Sequence, residues 1–505
     1  MRFANRATST IAAVVLGFSA VFGLSGASGF SAARAASTNL NMGMVLEPPH
    51  LDPTAGAAAA IDEVVYANLF EGLTRIDRNG AVQPGLARSW TVSGDGLTYT
   101  FELQGGVKFH DGTDMDASDV VFSLKRAMAE GSTNAQKALF APIAGVAAPD
   151  AGTVVLTLKE PAGNLLFNLA WGDGVIVAPE SAATNKATPV GTGPFRFKRW
   201  ARGARVELVA YPDYWGAKPA LRTVTFTFIS DPAAALVAMM AGDVDAFANF
   251  PAPENMAQFK ADPRFSVVIG STEGETILAT NNKKPPFDDV RVRRAIAHAL
   301  DRQAIVDGAM FGYGTVIGTH FAPHHPAYVD LTGLYPYDPD KARALLAEAG
   351  YPDGFKATIK LPPPSYARRG GEIIASQLRK IGIDLEIIPV EWAQWLDQVF
   401  KNKDFELTIV SHTEPQDINI YGRDGYYFQY DNPAFKAIMA RLVATADTAG
   451  RYALLGDAQR MIAEDAVNGY LFQLAKHGVW NARLKGLWEN SPVQANDITG
   501  VSWSD

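Results

Sequence analysis

Between Ser411 and Tyr427 the chain concentrates the side chains best suited to holding a polar solute. His412, Glu414, Asp417 and Arg423 offer charge and hydrogen bonds there, and Tyr421, Tyr426 and Tyr427 offer faces that stack on a sugar or an aromatic group. Each of these charges, like Arg368 further up the chain, has a second reading as an ordinary surface group. Trp171 stands next to Gly172 and Gly174, whose missing side chains leave the indole uncovered, so it is a candidate cleft wall. Trp392 either stacks on a ligand or fills a core, because Trp392, Trp395, Leu396 and Val399 share one helical face; Trp395 is read as core. Catalytic motifs are missing: there is no glycine-rich phosphate loop, no HExxH, no GxSxG after a strand and no Cys/His ligand spacing. Neither an enzyme nor a cofactor is expected. Asp111, Asp114, Asp116 and Asp119 lack the alternation of a calcium loop and are read, with His110, as turn and capping residues. His320, His324 and His325 near Pro323 and Pro326 are either a divalent-metal site or, as adopted here, a surface loop.

The elements that position these residues are legible from period and punctuation. Leu97, Tyr99, Phe101 and Leu103 alternate with polar residues, and Asp95-Gly96 supplies a turn, so Ser89 to Leu103 is predicted to be a β-hairpin. Asp116 and Asp119 cap a helix whose apolar face is Val120, Val121 and Leu124. Further strands are expected at 40–46, 153–158, 206–210, 224–229, 383–388, 405–410 and 470–475, and helices at 61–70 and 232–241. Val292, Ala295, Ile296, Ala299 and Leu300 form a core stripe, with Arg291, Arg293 and Arg294 as a solvated face. Asp338, Pro339 and Gly350 bracket another helix. Asn281-Asn282 followed by Pro285-Pro286 is the clearest break and marks a crossover between lobes.

A chain of 505 residues exceeds one core. With 48% apolar and 19% charged residues it is an ordinary globular protein. Arg2 and Arg6, the apolar run Ile11–Leu24 and Ala33-Arg34-Ala35 read as an export signal, too short in its apolar core to span a membrane. Removing residues 1–35 takes away three arginines and no acid, leaving 42 basic against 53 acidic side chains and a net charge near −11. Such a balance excludes nucleic acid and anionic membrane as main partners. Without cysteine there is no site for an N-terminal lipid and no disulfide, as expected of a free periplasmic protein.

The runs Pro84–Trp90, Asp95–Leu103, Val107–Gly112 and Ala117–Ser123 resemble the "PGLA-SW, DG-TYTF-L, GVKFHDG, A-DVVFS" signature of the bacterial extracellular solute-binding proteins of family 5, receptors for peptides, nickel and opines in ABC importers. The likeness recurs at Gly191–Phe197, Pro212–Gly216, Lys284–Arg302 and Tyr337–Phe355. It implies an α/β, two-lobed periplasmic binding protein fold of the large, cluster C type, with an extra subdomain in lobe one and a central ligand cleft. The implied layout is a signal peptide at 1–35, lobe one at 36–280 with a subdomain at about 76–188, lobe two at 281–475, and a return to lobe one at 476–505. The resemblance places the Leu46–Pro53 turn with Glu47 and His50, the Leu361–Arg369 loop with Arg368, Trp392, and the Ser411–Tyr421 loop around the cleft. Dipeptide receptors of this family hold the peptide amine with an Asp in the loop matching 411–417 and the carboxylate with an Arg. Here Ser411 or His412 stands near the first and prolines 362–364 near the second, which disfavours free dipeptide and leaves Glu414, Asp417, Arg368 and Arg423 as replacement charges. The expected partners are a peptide-like solute and an inner-membrane ABC permease, with the protein a monomer. An opine, a glycoside or a nickel chelate is the alternative ligand, and a chaperone or sensor partner the alternative role. N-terminal sequencing of the periplasmic fraction is expected to read from Ala36; a chain still beginning at Met1 would refute the export signal.

Overall fold

Two long antiparallel strands, Phe265–Thr280 and Asn468–Asn481, run side by side through the middle of the main sheet. The computed structural model describes residues 37–504 except 57, 415, 416 and 446, so the expected export signal lies outside the described residues. On one side of the pair follow Leu407–His412, Phe355–Leu361 and Ile383–Pro389. On the other follow Ala246–Phe247, Asn39–Met44, Thr223–Phe228, Arg205–Ala210 and Phe195–Ala201. The helix Ser365–Arg379 carries the chain between the parallel neighbours Phe355–Leu361 and Ile383–Pro389 and buries Ile374 and Leu378 beneath them. A separate four-stranded antiparallel sheet joins Ala87–Val92, Thr98–Leu103, Thr153–Leu158 and Ile143–Asp150. No helix among the described residues is long and apolar enough to cross a membrane.

The local chemistry explains these elements. Tyr99, Phe101 and Leu103 are buried as their alternation requires. Asp116 and Asp119 close a reciprocal cap on the helix Ala117–Met128: Asp116 Oδ1 accepts from Ser118 N at 2.7 Å and Asp119 Oδ2 from Asp116 N at 2.9 Å. The helix expected over 61–70 is instead Ala59–Val65. It stops because the Asn68 and Leu69 carbonyls accept from Phe195 N and Gly193 N, both at 3.0 Å, pulling the backbone out of helical geometry. Gly193 and Gly191 permit that approach, since a Cβ on Gly191 would lie 2.0 Å from the Leu69 oxygen.

One reading of the arginines is corrected. Arg291 is exposed and pairs with Asp289, but Arg293 is 9% exposed. Its guanidinium donates to the carbonyls of Phe287, Asp288, Asp465 and Ala466 at 2.8–3.1 Å. It therefore ties the helix Val290–Ala299 to the end of the helix Thr448–Glu464. Arg293→Ala leaves those carbonyls without their donor and is expected to cost on the order of 3 kcal/mol in urea unfolding, against less than about 0.5 kcal/mol for Arg291→Ala.

Candidate functional site

The strand Leu407–His412 lies along Phe265–Thr280 with His412 opposite Glu275. The chain then coils into the short 3-10 helix Asp417–Gly422, burying Asp417, Ile418, Ile420 and Tyr421. His320 Nε2 meets Asp417 Oδ1 at 2.8 Å, and His412 Nδ1 lies 3.3 Å from Asp417 Oδ2. Asn468 Nδ2 donates to Tyr421 OH at 3.1 Å; the hydroxyl donates in turn to His320 Nδ1 at 3.2 Å, which leaves the Nε2–H of that ring for Asp417. His412 Nε2 meets Tyr427 OH at 3.0 Å. All members are buried and all have partners, which makes a rigid polar network.

Charge decides the protonation of this wall. Burial pushes the Asp417 carboxyl up, but the His320 and His412 imidazoles outweigh it and hold the group well below the usual carboxylate range. Burial lowers His320, with Asp417 opposing. Glu275, 4% exposed, is pushed well above the usual range by burial and then by the charges of Asp417, Glu273 and Glu414. Glu273 Oε1 meets His324 Nε2 at 2.6 Å, and Gln473 Nε2 lies 3.0 Å from His324 Nδ1. These groups flank the point between Ser271 and Glu275 where the register of the two central strands shifts. The facing atoms of His320, His412 and Asp417 lie within 4.8 Å of one another, a nitrogen and oxygen set of the kind that binds a transition metal. All four imidazole nitrogens are already engaged, so an ion would have to displace the Asp417 contacts.

A second polar wall is built by the turn Pro53–Ala55, the helix Ala59–Val65 and the turn Gly172–Gly174. Asp52 is 1% exposed; it accepts from Thr54 N at 3.0 Å and pairs with Arg126 at 3.2 Å. Asp62, Trp171 and Asp173 cluster beside it. Glu63 faces Lys476, whose Nζ donates to Trp488 O at 2.7 Å and which burial lowers to about 8 against the pull of Glu63. Gln473 of the first wall and Lys476 of the second are three residues apart on one strand, about 10 Å. The walls are also linked directly. Gln494 Nε2 donates to Thr413 Oγ1 at 2.5 Å, while Val493 and Ala495 on either side pack with Tyr66, Ala67 and Ala170.

Residues 81–417, more than half of the chain, match the profile of the bacterial extracellular solute-binding proteins, family 5 middle region. The chain belongs to this family. It is 32% identical over 358 residues to heme-binding protein A of Haemophilus influenzae, covering 65% of each chain. It is 32% identical over 346 residues to the dipeptide-binding protein of Escherichia coli K12, covering 62% of this chain and 64% of that one. These alignments span just under two thirds of either relative. Among solved structures, DppA of Helicobacter pylori in complex with the peptide STSA superposes with a TM-score of 0.82 at 25% identity, covering 93% of this chain and 99% of that one. The fold is thus the mixed α/β, two-lobed cluster C periplasmic binding protein fold, in a family of binding proteins rather than enzymes.

Against this family frame, the residues singled out from sequence separate into three groups. His412, Asp417 and Tyr421 come together, but as the interior of the loop: Tyr421 is 0% exposed, with Phe428 at 4.6 Å between ring centres. The loop 411–421 is therefore packed and bears on stability, and the alternative reading of His412 and Asp417 as ordinary surface groups is corrected. His320 is likewise no surface residue. Glu47 and Arg368 are spent on the backbone and on neighbours. Glu47 accepts from Trp200 Nε1 at 2.9 Å and Gly203 N at 3.0 Å; Arg368 donates to the carbonyls of Pro362 at 3.0 Å and Val390 at 3.1 Å. His50 Nδ1 accepts from Asp52 N at 3.3 Å, and burial lowers its pKa. Arg423 is exposed and bonded to Asn419 at 2.9 Å. Glu414, Tyr426, Trp171 and Trp392 keep accessible surface. Trp395 is buried and donates to Thr408 Oγ1 at 2.9 Å, so it is core as read. Sequence reasoning missed Glu273, Glu275, Asp62 and Asp173. Its one available signal was acid standing among apolar or glycine neighbours, as in Gly172-Asp173-Gly174.

Asp417→Ala removes a buried acceptor from two imidazoles and is expected to destabilise the ligand-free protein by roughly 3 kcal/mol in urea. A carboxyl held below its unfolded value stabilises above about pH 4, and that contribution is lost as pH falls through the folded value. The gap between Asp417→Ala and wild type should therefore narrow in acid unfolding below pH 4.

Proposed function

We propose that this protein is the solute-capturing receptor of an ABC importer, closing two lobes over a peptide-like solute in the periplasm and handing it to an inner-membrane permease. The observation that carries this reading is the pair of polar walls, the His320–Asp417–His412 network and the Asp52–Asp62–Asp173 group, linked by the Gln494–Thr413 hydrogen bond and by Gln473 and Lys476 on one central strand. Of the three relatives compared above, a dipeptide-binding protein and a receptor in complex with the peptide STSA support this ligand class, while the heme-binding protein does not. Both oxygens of Asp417 are committed to imidazoles, so a solute amine must find its negative charge at Glu275, Glu273 or Glu414 instead. Lobe one is taken as 36–280 with 476–505, and lobe two as 281–475. A metal chelate is the second reading, favoured by the His320, His412 and Asp417 donor set.

The register shift between Ser271 and Glu275 supports a bend there, on the lobe-one side of the Asn281-Asn282 crossover, whose side chains are hydrogen-bonded to Lys403, Phe405, Phe428 and Val467. Mass spectrometry of solute co-purifying with periplasmic protein tests the ligand class: peptides support the first reading and a metal complex the second. Small-angle scattering with saturating solute is expected to show a smaller radius of gyration than the empty protein. An unchanged radius would count against lobe closure.

A further inference from the structure

Asp62 Oδ1, Asp173 Oδ1 and Trp171 Nε1 are buried atoms without a hydrogen-bond partner among the described residues, and they belong to one small neighbourhood. Asp62 Oδ1 is laid against Gly172, where a Cβ would stand 2.0 Å from it, so only glycine at that position admits the carboxylate beside the peptide that carries Asp173. Asp173 itself is 5% exposed. The nearby cations are already taken: Arg126 by Asp52 and Thr54, and Lys476 by the Trp488 carbonyl and Glu63. Burial first, then Asp173 and Glu63, push Asp62 well above the usual carboxylate range. Burial first, with Asp52 adding to it, pushes Asp173 up to about 7. Only the backbone amides of Gln136 and of its own residue act against this at Asp173. Asparagine would fill either position without that cost, and a fold shaped only for stability has no use for two adjoining acids with no cation between them.

We infer that Asp62, Asp173 and Trp171 form a subsite for an organic cation, an ammonium or guanidinium group carried by the solute. The inference rests on the reading of the chain as a solute receptor. The two carboxylates accept from the cation and neutralise it, while the Trp171 indole presents a face to it and an N–H to an acceptor on the same molecule. Phe167 braces that indole edge to face, with ring centres 6.5 Å apart. The indole also argues against a metal ion, because its N–H is a donor and contributes no ligand to the two carboxylates. The subsite is separate from the histidine network, so a solute reaching both meets a satisfied polar surface at one end and unsatisfied acids at the other.

Calorimetry and thermal shift with three probes test this: the peptide Lys-Ala-Ala, the same peptide with both amines acetylated, and agmatine. Wild type is expected to prefer the free-amine peptide, and Asp173→Asn and Asp62→Asn are expected to weaken it about 10- to 100-fold while leaving the acetylated peptide unchanged. Agmatine stabilising wild type but not Asp173→Asn, with neither peptide bound, would uphold the subsite and sink the peptide reading. Equal affinity for free and acetylated peptide, unchanged binding by both variants, competition by calcium or nickel ions alone, or no response of wild type to any probe would each overturn the subsite. Stability separates this role from a structural one. A carboxyl raised from about 4 to about 7 stabilises fully below pH 4 and loses that contribution as pH rises to 7, so empty Asp173→Asn should melt above wild type at pH 8, the difference closing toward pH 4. A lower melting temperature for the variant at pH 8 would make Asp173 a structural residue and overturn the proposal.

Discussion

A backbone ladder that must stay satisfied while changing direction is the constraint on which the rest of this structure depends. The strands Phe265–Thr280 and Asn468–Asn481 pair on both sides of residues 272–274 but lose register between them. Side chains take over where the ladder fails: Thr272 Oγ1 donates to Leu474 O at 2.7 Å and accepts from Gly274 N at 2.9 Å, and Gln473 Nε2 donates to Thr272 O at 2.5 Å. Hydrogen bonds made by rotatable side chains tolerate a bend that a regular ladder resists. The same irregularity puts Glu273 and Glu275 beside His324 and the histidine network, so the bend proposed between the lobes would coincide with the proposed solute contact.

Acid density gives the site its character. Asp52, Asp62, Glu63 and Asp173 line one wall, and Glu273, Glu275, Glu414 and Asp417 the other, with Arg126, Lys476 and three imidazoles as the compensating groups. The two walls treat their charge differently. Asp417 is locked between donors and stays ionised, whereas Glu275, Asp62 and Asp173 are desolvated and pushed upward, a condition that a cationic solute relieves as it displaces water. Closure would bring such a solute into a medium where each of these interactions is stronger than in the open protein.

Local signals are legible in this sequence and long-range ones are not. The hairpin at Thr98–Leu103, the Asp116 cap and the Asp338-Pro339 helix start depend on neighbours in the chain, and period and punctuation expose them. The burial of Arg293 depends on carbonyls 172 and 173 residues away, and the pairing of His320 with Asp417 spans 97 residues. No spacing rule reaches that far, so sequence alone gives a solvated arginine and a surface histidine. The family signature recovered the architecture because it encodes those distant contacts collectively; residue roles were not recovered, since a loop's departure from the signature says that it changed and not which way its side chains face.

That last point bears on how specificity can vary in this fold. The His412 ring is 11° from parallel to that of Tyr427 with centres 6.0 Å apart and its Nε2 3.0 Å from the Tyr427 hydroxyl, and Tyr427 also meets Trp395 at 5.7 Å and Phe405 at 5.8 Å between ring centres. Changing His412, Asp417 or Tyr421 to suit a new solute would therefore disturb the packing that holds the loop in place. Tyr426 and Trp392 are half-buried or exposed and sit on the rim of the same aromatic cluster, and Glu414 is half-buried, so a substitution at any of them would change the proposed solute-facing surface without opening a cavity behind it. The loop can thus keep one interior and present many surfaces, a division of labour that, in the receptor role proposed, would let the ligand change while the packing behind it is preserved.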